Sequence, residues 1–170
     1  GTAHQPTCLA GLSAVTRKLD RACTVADVGC GSGVALAARA EAFPHSEFHG
    51  YDPSTVAHGR ARTRLSELTN ATVEADRAEN LAAHGIFDLV VAFDCLHDMT
   101  RPDLAIAAVR DALAPDGPWL IQDIRSTAHL EANINTPVVT PPYATAVSFF
   151  LSSAPPDPGP PATAPAPSRP

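Results

Sequence analysis

Short apolar runs alternate along the chain with longer stretches in which apolar residues recur every three or four positions. The short runs are typical of buried strands, and the periodic stretches are typical of amphipathic helices. Five strands are predicted in this way, over residues 24–28, 48–51, 71–75, 86–93 and 119–121. Helices are predicted between them, over residues 9–20, 34–43 and 103–113, with a further helix that Ser54 caps.

Strands that alternate with helices in this order predict an α/β fold with a doubly wound, mainly parallel sheet and helices on both of its faces. The run 86–93 supports this prediction, because it is apolar except for Asp88, as expected of a strand covered on both faces. In such sheets ligands bind at the carboxyl ends of the strands. We therefore expect any functional site at that edge.

The pattern weakens after Asp123, and half of the last sixteen residues are proline. We expect one domain over residues 1–151, with a truncated or divergent C-terminal edge, and a proline-rich disordered tail over 152–170. A sheet that ends at its fifth strand exposes unpaired backbone groups, which predicts a homodimer or a partner that covers this edge. Because the chain opens at Gly1, we also consider it a fragment of a longer protein.

The strongest chemical signal is the segment DVGCGSG, residues 27–33, which lies where the first predicted strand meets the next helix. Glycines there let the backbone turn sharply and approach a ligand, and the helix N-terminus offers N–H donors. A dinucleotide fingerprint, G-x-G-x-x-G, would need a glycine where Val34 stands. The spacing therefore disfavours an NAD-dependent dehydrogenase.

This segment resembles motif I of the class I, Rossmann-like S-adenosylmethionine-dependent methyltransferases, and residues 24–123 keep step with that family. LAPDG, residues 113–117, is similar to the family's L-x-P-G-G turn. The resemblance implies an enzyme with S-adenosylmethionine as its cofactor. It places Gly29, Gly31 and Gly33 against the methionine part and Asp27 near the amino group. The alternative is a glycine turn that serves only the corner between strand and helix.

Two acids follow the next two predicted strands. Asp52 ends the second strand, where its carboxylate can accept both ribose hydroxyls, although it can equally be a turn residue or a helix cap. Asp76 follows the third strand, and the resemblance implies that it meets the adenine amino group while the backbone N–H of Arg77 reaches the ring. The alternative is a solvated carboxylate paired with Arg77.

Residues 87–99 resemble the family's fourth-strand motif, which implies that the backbone of Phe93 and Asp94 lines the methionine end of the cofactor and faces the acceptor. LHDM, residues 96–99, looks like the L-H-D-W segment of small-molecule O-methyltransferases, with Met99 in place of tryptophan. In those enzymes the histidine takes a proton from the acceptor hydroxyl, so His97 is the candidate catalytic base. The alternative is that His97 only caps the strand or bonds to backbone.

A metal site is the weaker interpretation of this segment. Asp94, His97 and Asp98 offer ligands to a divalent ion that would orient a diol. We nevertheless predict no metal, because the other histidines lack ligand spacing. Five of them are interpreted as surface residues: His45, His49, His58, His84 and His129.

Composition narrows the function further. The net charge is −6 and no run of lysine or arginine occurs, which argues against nucleic acid as a substrate. The four cysteines form no CxxC pair, and no apolar run reaches the roughly 20 residues that span a bilayer. These features favour free thiols in a reducing cytoplasm and no membrane contact.

The sequence thus predicts a methyltransferase that acts on a small-molecule acceptor, at oxygen. The alternative is a noncatalytic or degenerate S-adenosylmethionine-binding module that needs a partner.

Overall fold

The structure, a computed structural model, describes residues 13–123. Within them the predicted first helix is present as the helical residues 13–19, called α1. The remaining predictions on residues 1–12 and 124–170 lie outside the described part, including the domain end at 151, the tail and His129.

Five strands form one sheet in the order β3-β2-β1-β4-β5, and each neighbouring pair is parallel. The strands are β1 (Thr24–Val28), β2 (Glu47–Tyr51), β3 (Ala71–Glu74), β4 (Leu89–Phe93) and β5 (Trp119–Gln122). The order reverses beside β1, between β2 and β4, which is where ligands bind in doubly wound sheets. The predicted fold class is confirmed.

The connections are three further α-helices and two short 3-10 helices. The α-helices are α2 (Val34–Ala42), α3 (Thr55–Arg64) and α4 (Pro102–Ala112), and the 3-10 helices cover Ala78–His84 and Leu96–Asp98. The Oγ of Ser54 accepts a hydrogen bond from the N–H of Ala57 at 3.2 Å, so the predicted cap is confirmed. Both 3-10 helices escaped prediction, because segments this short show no usable periodicity.

Apolar side chains cover both faces of the sheet. On one face Leu81 and Val109 pack against Val90, and on the other Leu36 packs with Phe48 and Val91. All of these side chains are at most 1% exposed. The sheet is therefore the middle layer between two helical layers.

The predicted fourth strand, 86–93, was too long at its start. The observed strand begins at Leu89, while Ile86 is exposed and Phe87 makes only an isolated bridge to Leu113. Asp88 explains the difference, because its carboxylate accepts hydrogen bonds from the N–H of Thr24 at 2.9 Å and from its hydroxyl at 3.1 Å. An apolar run alone does not show that the strand begins only after its one polar residue, Asp88.

The last strand is more open than the others. Its residues are half-buried or exposed, and Ile121 is 46% exposed. Within residues 13–123 β5 is thus the edge beside β4. None of the helices in this part of the chain has the length and apolar character that a membrane span requires.

Candidate active site

The glycine loop between β1 and α2 is shaped for a close ligand. Gly29, Gly31 and Gly33 all have left-handed backbones, with φ of 72°, 54° and 73°. A Cβ on Gly29 would lie 2.6 Å from the Cβ of Cys95, whereas one on Gly31 would meet nothing within 4 Å. The loop therefore packs tightly on the β4 side and leaves open space above Gly31.

Asp52 joins the glycine loop to the end of β2. Its Oδ2 accepts the N–H of Gly31 at 2.9 Å, and its Oδ1 accepts the N–H of Ser54 at 2.9 Å. A carboxylate has about four acceptor positions, so roughly two remain for a diol. The turn that the sequence offered as an alternative is therefore present, and it leaves acceptor positions for a ligand.

Asp76 is more heavily engaged than the sequence suggested. Its Oδ1 accepts the N–H of Arg77 and the side-chain amide of Asn80, each at 2.7 Å. Its Oδ2 lies 2.8 Å from Nε2 of His84. Burial raises the pKa of Asp76, but the hydrogen bonds from Asn80, His84 and the backbone of Arg77 outweigh it, so the pKa lies below its usual value.

Two sequence interpretations around Asp76 change. The side chain of Arg77 pairs with Glu79 at 3.0 Å instead of with Asp76, and its N–H is bonded to the Asp76 carboxylate. His84 is not the surface residue that was predicted, because its side chain is only 20% exposed and contacts that carboxylate. Isolated histidines in a sequence do not reveal such a contact.

Asp27 has a partner that the sequence did not indicate. It is 3% exposed, and its carboxylate pairs with the guanidinium of Arg39 on α2. Burial raises the pKa of Asp27 to about 6, although Arg39 opposes this effect. Arg39 also lies over the ring of Phe93, 5.2 Å from its centroid. Contact of Asp27 with the cofactor amino group stays a prediction; its observed partner is Arg39.

The residue Cys95, just after β4, packs against Gly29 of the glycine loop. That the backbone of Phe93 and Asp94 lines the cofactor stays a prediction. Asp94 has a left-handed backbone with φ of 54°, and its N–H donates to the carbonyl of Gln122 at 2.7 Å. The Sγ of Cys95 donates to the carbonyl of Val28 at 3.2 Å. A non-glycine residue in this conformation is uncommon and often marks a functional position.

His97 is oriented by Asp123, a residue that the sequence analysis did not single out. Nδ1 of His97 lies 2.6 Å from Oδ1 of Asp123, and Oδ2 of Asp123 accepts the N–H groups of Leu96 and His97 at 3.1 and 3.3 Å. Because a carboxylate only accepts, Nδ1 carries the hydrogen, and Nε2 of a neutral imidazole then keeps its lone pair. Asp123 directly follows β5, as Asp52 follows β2. Its position after a predicted strand is the sequence signal that could have identified it as a site residue.

Further carboxylates surround the imidazole. Oδ2 of Asp98 lies 3.4 Å from Nε2 of His97. Burial raises the pKa of Asp98, His97 lowers it, and Asp94 and Asp123 raise it further, with a net increase. Among the described residues Asp94, His97 and Asp123 have ligand atoms within 4.8 Å of one another, so a metal group would use Asp123 instead of Asp98. The absence of a metal stays a prediction.

Three features define a Rossmann-like ligand-binding domain: the strand order, the glycine loop and the row of acids at the carboxyl edge. Residues 26–119 match the family model described as "Methyltransferase domain". The chain belongs to this family, within the class I S-adenosylmethionine-dependent methyltransferases, and the resemblance found in the sequence is confirmed.

Curated relatives share this part of the chain. The ribosomal protein L11 methyltransferase of Dechloromonas aromatica (strain RCB) is 38% identical over 93 residues, which are 54% of this chain and 30% of the relative. The malonyl-[acyl-carrier protein] O-methyltransferase of Geobacter sulfurreducens is 34% identical over 97 residues, which are 55% of this chain and 35% of the relative. The chain thus spans about a third of the length of these relatives.

A solved structure shows the same fold. The N-methyltransferase NodS from Bradyrhizobium japonicum WM9, in complex with S-adenosylhomocysteine, is 26% identical with a TM-score of 0.52. The similarity covers 61% of this chain and 56% of that protein.

Proposed function

We propose that this chain binds S-adenosylmethionine along the carboxyl edge of β1 to β4 and transfers its methyl group to an oxygen of a small-molecule acceptor. The observation that carries the proposal is the pair of His97 and Asp123 at the ends of β4 and β5. Asp123 orients the imidazole of His97, which lies two residues after Cys95, the residue that packs against Gly29.

The residues at the edge fit the cofactor. A Cβ on Gly31 would meet nothing within 4 Å, so the loop leaves open space there for the methionine part of the cofactor to approach the backbone. Asp52 keeps acceptor positions for the two ribose hydroxyls, and Asp76 for the exocyclic amine of adenine. NodS was solved in complex with S-adenosylhomocysteine, which supports a site for this type of cofactor.

When bound, S-adenosylmethionine supplies an electrophilic methyl group on its sulfonium. A hydroxyl acceptor must then be aligned and must lose its proton. Nε2 of His97 takes that proton, and Asp123 stabilises the resulting imidazolium through Nδ1–H. The side chain of His97 is 31% exposed, so an acceptor can approach it.

The choice of oxygen rests on this base and on one relative. The relative from Geobacter sulfurreducens is named as an O-methyltransferase. Other similar proteins are named for a ribosomal protein substrate or for N-methylation, so family membership alone does not select the acceptor. No observation favours the noncatalytic alternative, which is kept only as one outcome of the test below.

The test measures transfer of a labelled methyl group from S-adenosylmethionine to a panel of phenols, alcohols and carboxylates. We expect His97→Ala to lower kcat about 10²-fold on a hydroxyl acceptor. Affinity for S-adenosylhomocysteine should stay unchanged, because His97 acts on the acceptor. His45→Gln, a change at an exposed histidine outside the site, is the matched control.

Equal turnover by wild type and His97→Ala on a hydroxyl acceptor would remove the base role. A carboxylate acceptor carries no proton at neutral pH, so loss of His97 should matter little there. Binding of S-adenosylhomocysteine without transfer to any acceptor would favour the noncatalytic module instead.

A further inference from the structure

The carboxylate of Asp76 is almost fully occupied by the chain itself. Arg77 and Asn80 fill the positions on Oδ1, and His84 takes one of the positions on Oδ2. With about four acceptor positions on a carboxylate, one position is left, and it lies on the oxygen that His84 contacts. A ligand that donates to Asp76 must share this oxygen with His84.

His84 is fixed by more than this hydrogen bond. Its ring lies 4.6 Å from the ring of Tyr51, between centroids, and its Nδ1 lies 3.7 Å from Oε2 of Glu74. It is the last residue of the 3-10 helix Ala78–His84, and Gly85 follows with φ of 123°. Because a carboxylate cannot donate, Nε2 of His84 must be the donor to Asp76.

We propose that His84 is a positioning residue for recognition of the adenine base: it orients Asp76 so that one acceptor position selects a 6-aminopurine over a 6-oxopurine. This inference rests on the proposed function, since it concerns the base of the same cofactor. An adenine amino group donates to the remaining position on Oδ2. A 6-oxo group presents a second acceptor to the carboxylate and is rejected.

The alternative role for His84 is structural, through its packing on Tyr51. The two roles differ in one observable quantity, the ratio of affinities for two bases. A loss of packing weakens binding of both bases equally, whereas a loss of orientation frees Asp76 to rotate and lowers the discrimination between them.

The experiment titrates the whole chain with S-adenosylhomocysteine and with S-inosylhomocysteine. We expect wild type to prefer the adenosyl compound at least about tenfold, the value of one hydrogen bond to a charged group. His84→Phe keeps a ring against Tyr51 and should reduce the preference to less than about threefold. His84→Gln places an amide near the position of Nε2 and should restore it.

Two controls complete the design. Asp76→Asn can turn its amide towards a 6-oxo group and should abolish or reverse the preference. His45→Gln should leave both affinities unchanged.

The outcomes separate the inference from the function on which it rests. Equal weakening of both compounds by His84→Phe would overturn the positioning role. An unchanged ratio in Asp76→Asn would overturn the adenine contact, while wild-type binding of S-adenosylhomocysteine would still support the proposed function. If wild type binds neither compound, the proposed function fails and the inference fails with it.

Discussion

The two ends of the carboxyl edge are built differently. At the β1 to β3 end, hydrogen bonds link Asp52 to the glycine loop and surround Asp76 with three donors. At the β4 to β5 end, His97 and Asp123 form one pair beside a strand whose residues are half-buried or exposed. Among the described residues, hydrogen bonds therefore order the surface proposed for the cofactor, while the side proposed for the acceptor is more exposed.

This difference follows the division of the proposed function between cofactor and acceptor. In the proposed function the cofactor contacts the loops at the ends of β1 to β4. The acceptor contacts His97 in the same proposal, and the predicted homodimer or partner at the open edge stays a prediction. Mutations at the two ends should therefore affect different measurements.

The largest effect is expected from Arg39→Met, which leaves the carboxylate of Asp27 buried without its cation. Removal of one partner of a buried ion pair costs about 3–5 kcal/mol. We expect a loss of unfolding free energy of this order in a denaturant titration. Asp27→Asn combined with Arg39→Met should recover much of it, and additive losses in the double variant would contradict the coupling.

The next effect is a pH dependence from the same carboxyl group. Because burial raises the pKa of Asp27 to about 6 from 3.8, the folded state binds this proton more tightly than the unfolded state. The contribution of Asp27 to stability is therefore complete below about pH 4 and is lost as the pH rises to about 6. Denaturation of wild type and Asp27→Asn across this range measures it, and parallel pH profiles would contradict the assignment.

The third prediction concerns Gly29 and Gly31, two glycines of one loop. Both have left-handed backbones, which cost an alanine about 1–2 kcal/mol. Only Gly29→Ala also brings a Cβ to 2.6 Å from Cys95, so it should cost about 1–3 kcal/mol more than Gly31→Ala. Thermal or denaturant unfolding of the two variants measures the difference. Equal losses would mean that Cys95 moves aside easily.

The smallest effects separate the two ends directly. Asp52→Ala removes the acceptor of the Gly31 N–H and should weaken S-adenosylhomocysteine binding about tenfold. Asp123→Asn should lower kcat on a hydroxyl acceptor about tenfold with unchanged cofactor affinity, because the amide no longer stabilises an imidazolium. Calorimetry measures the affinity for S-adenosylhomocysteine, and a turnover assay measures kcat. A change of cofactor affinity in Asp123→Asn would contradict the assignment of Asp123 to the acceptor side.

Much of the fold was predictable, because parallel strands buried on both faces read as continuous apolar runs. Strand positions and the glycine loop followed from that local pattern. The contacts between distant residues did not: His97 meets Asp123 across 26 positions, and Asp27 meets Arg39 from a helix whose apolar pattern is only alanine-rich. A sequence shows that an acid follows a strand, but the side chain that it meets depends on the packing of two loops.

A calorimetric titration of the chain with S-adenosylhomocysteine and NAD in parallel tests directly which cofactor the glycine loop binds. We expect binding of S-adenosylhomocysteine, weakened in Asp52→Ala, and no response to NAD. A folded chain that ignores S-adenosylhomocysteine, or that binds NAD instead, would contradict the assignment of the glycine loop and its row of acids to this cofactor.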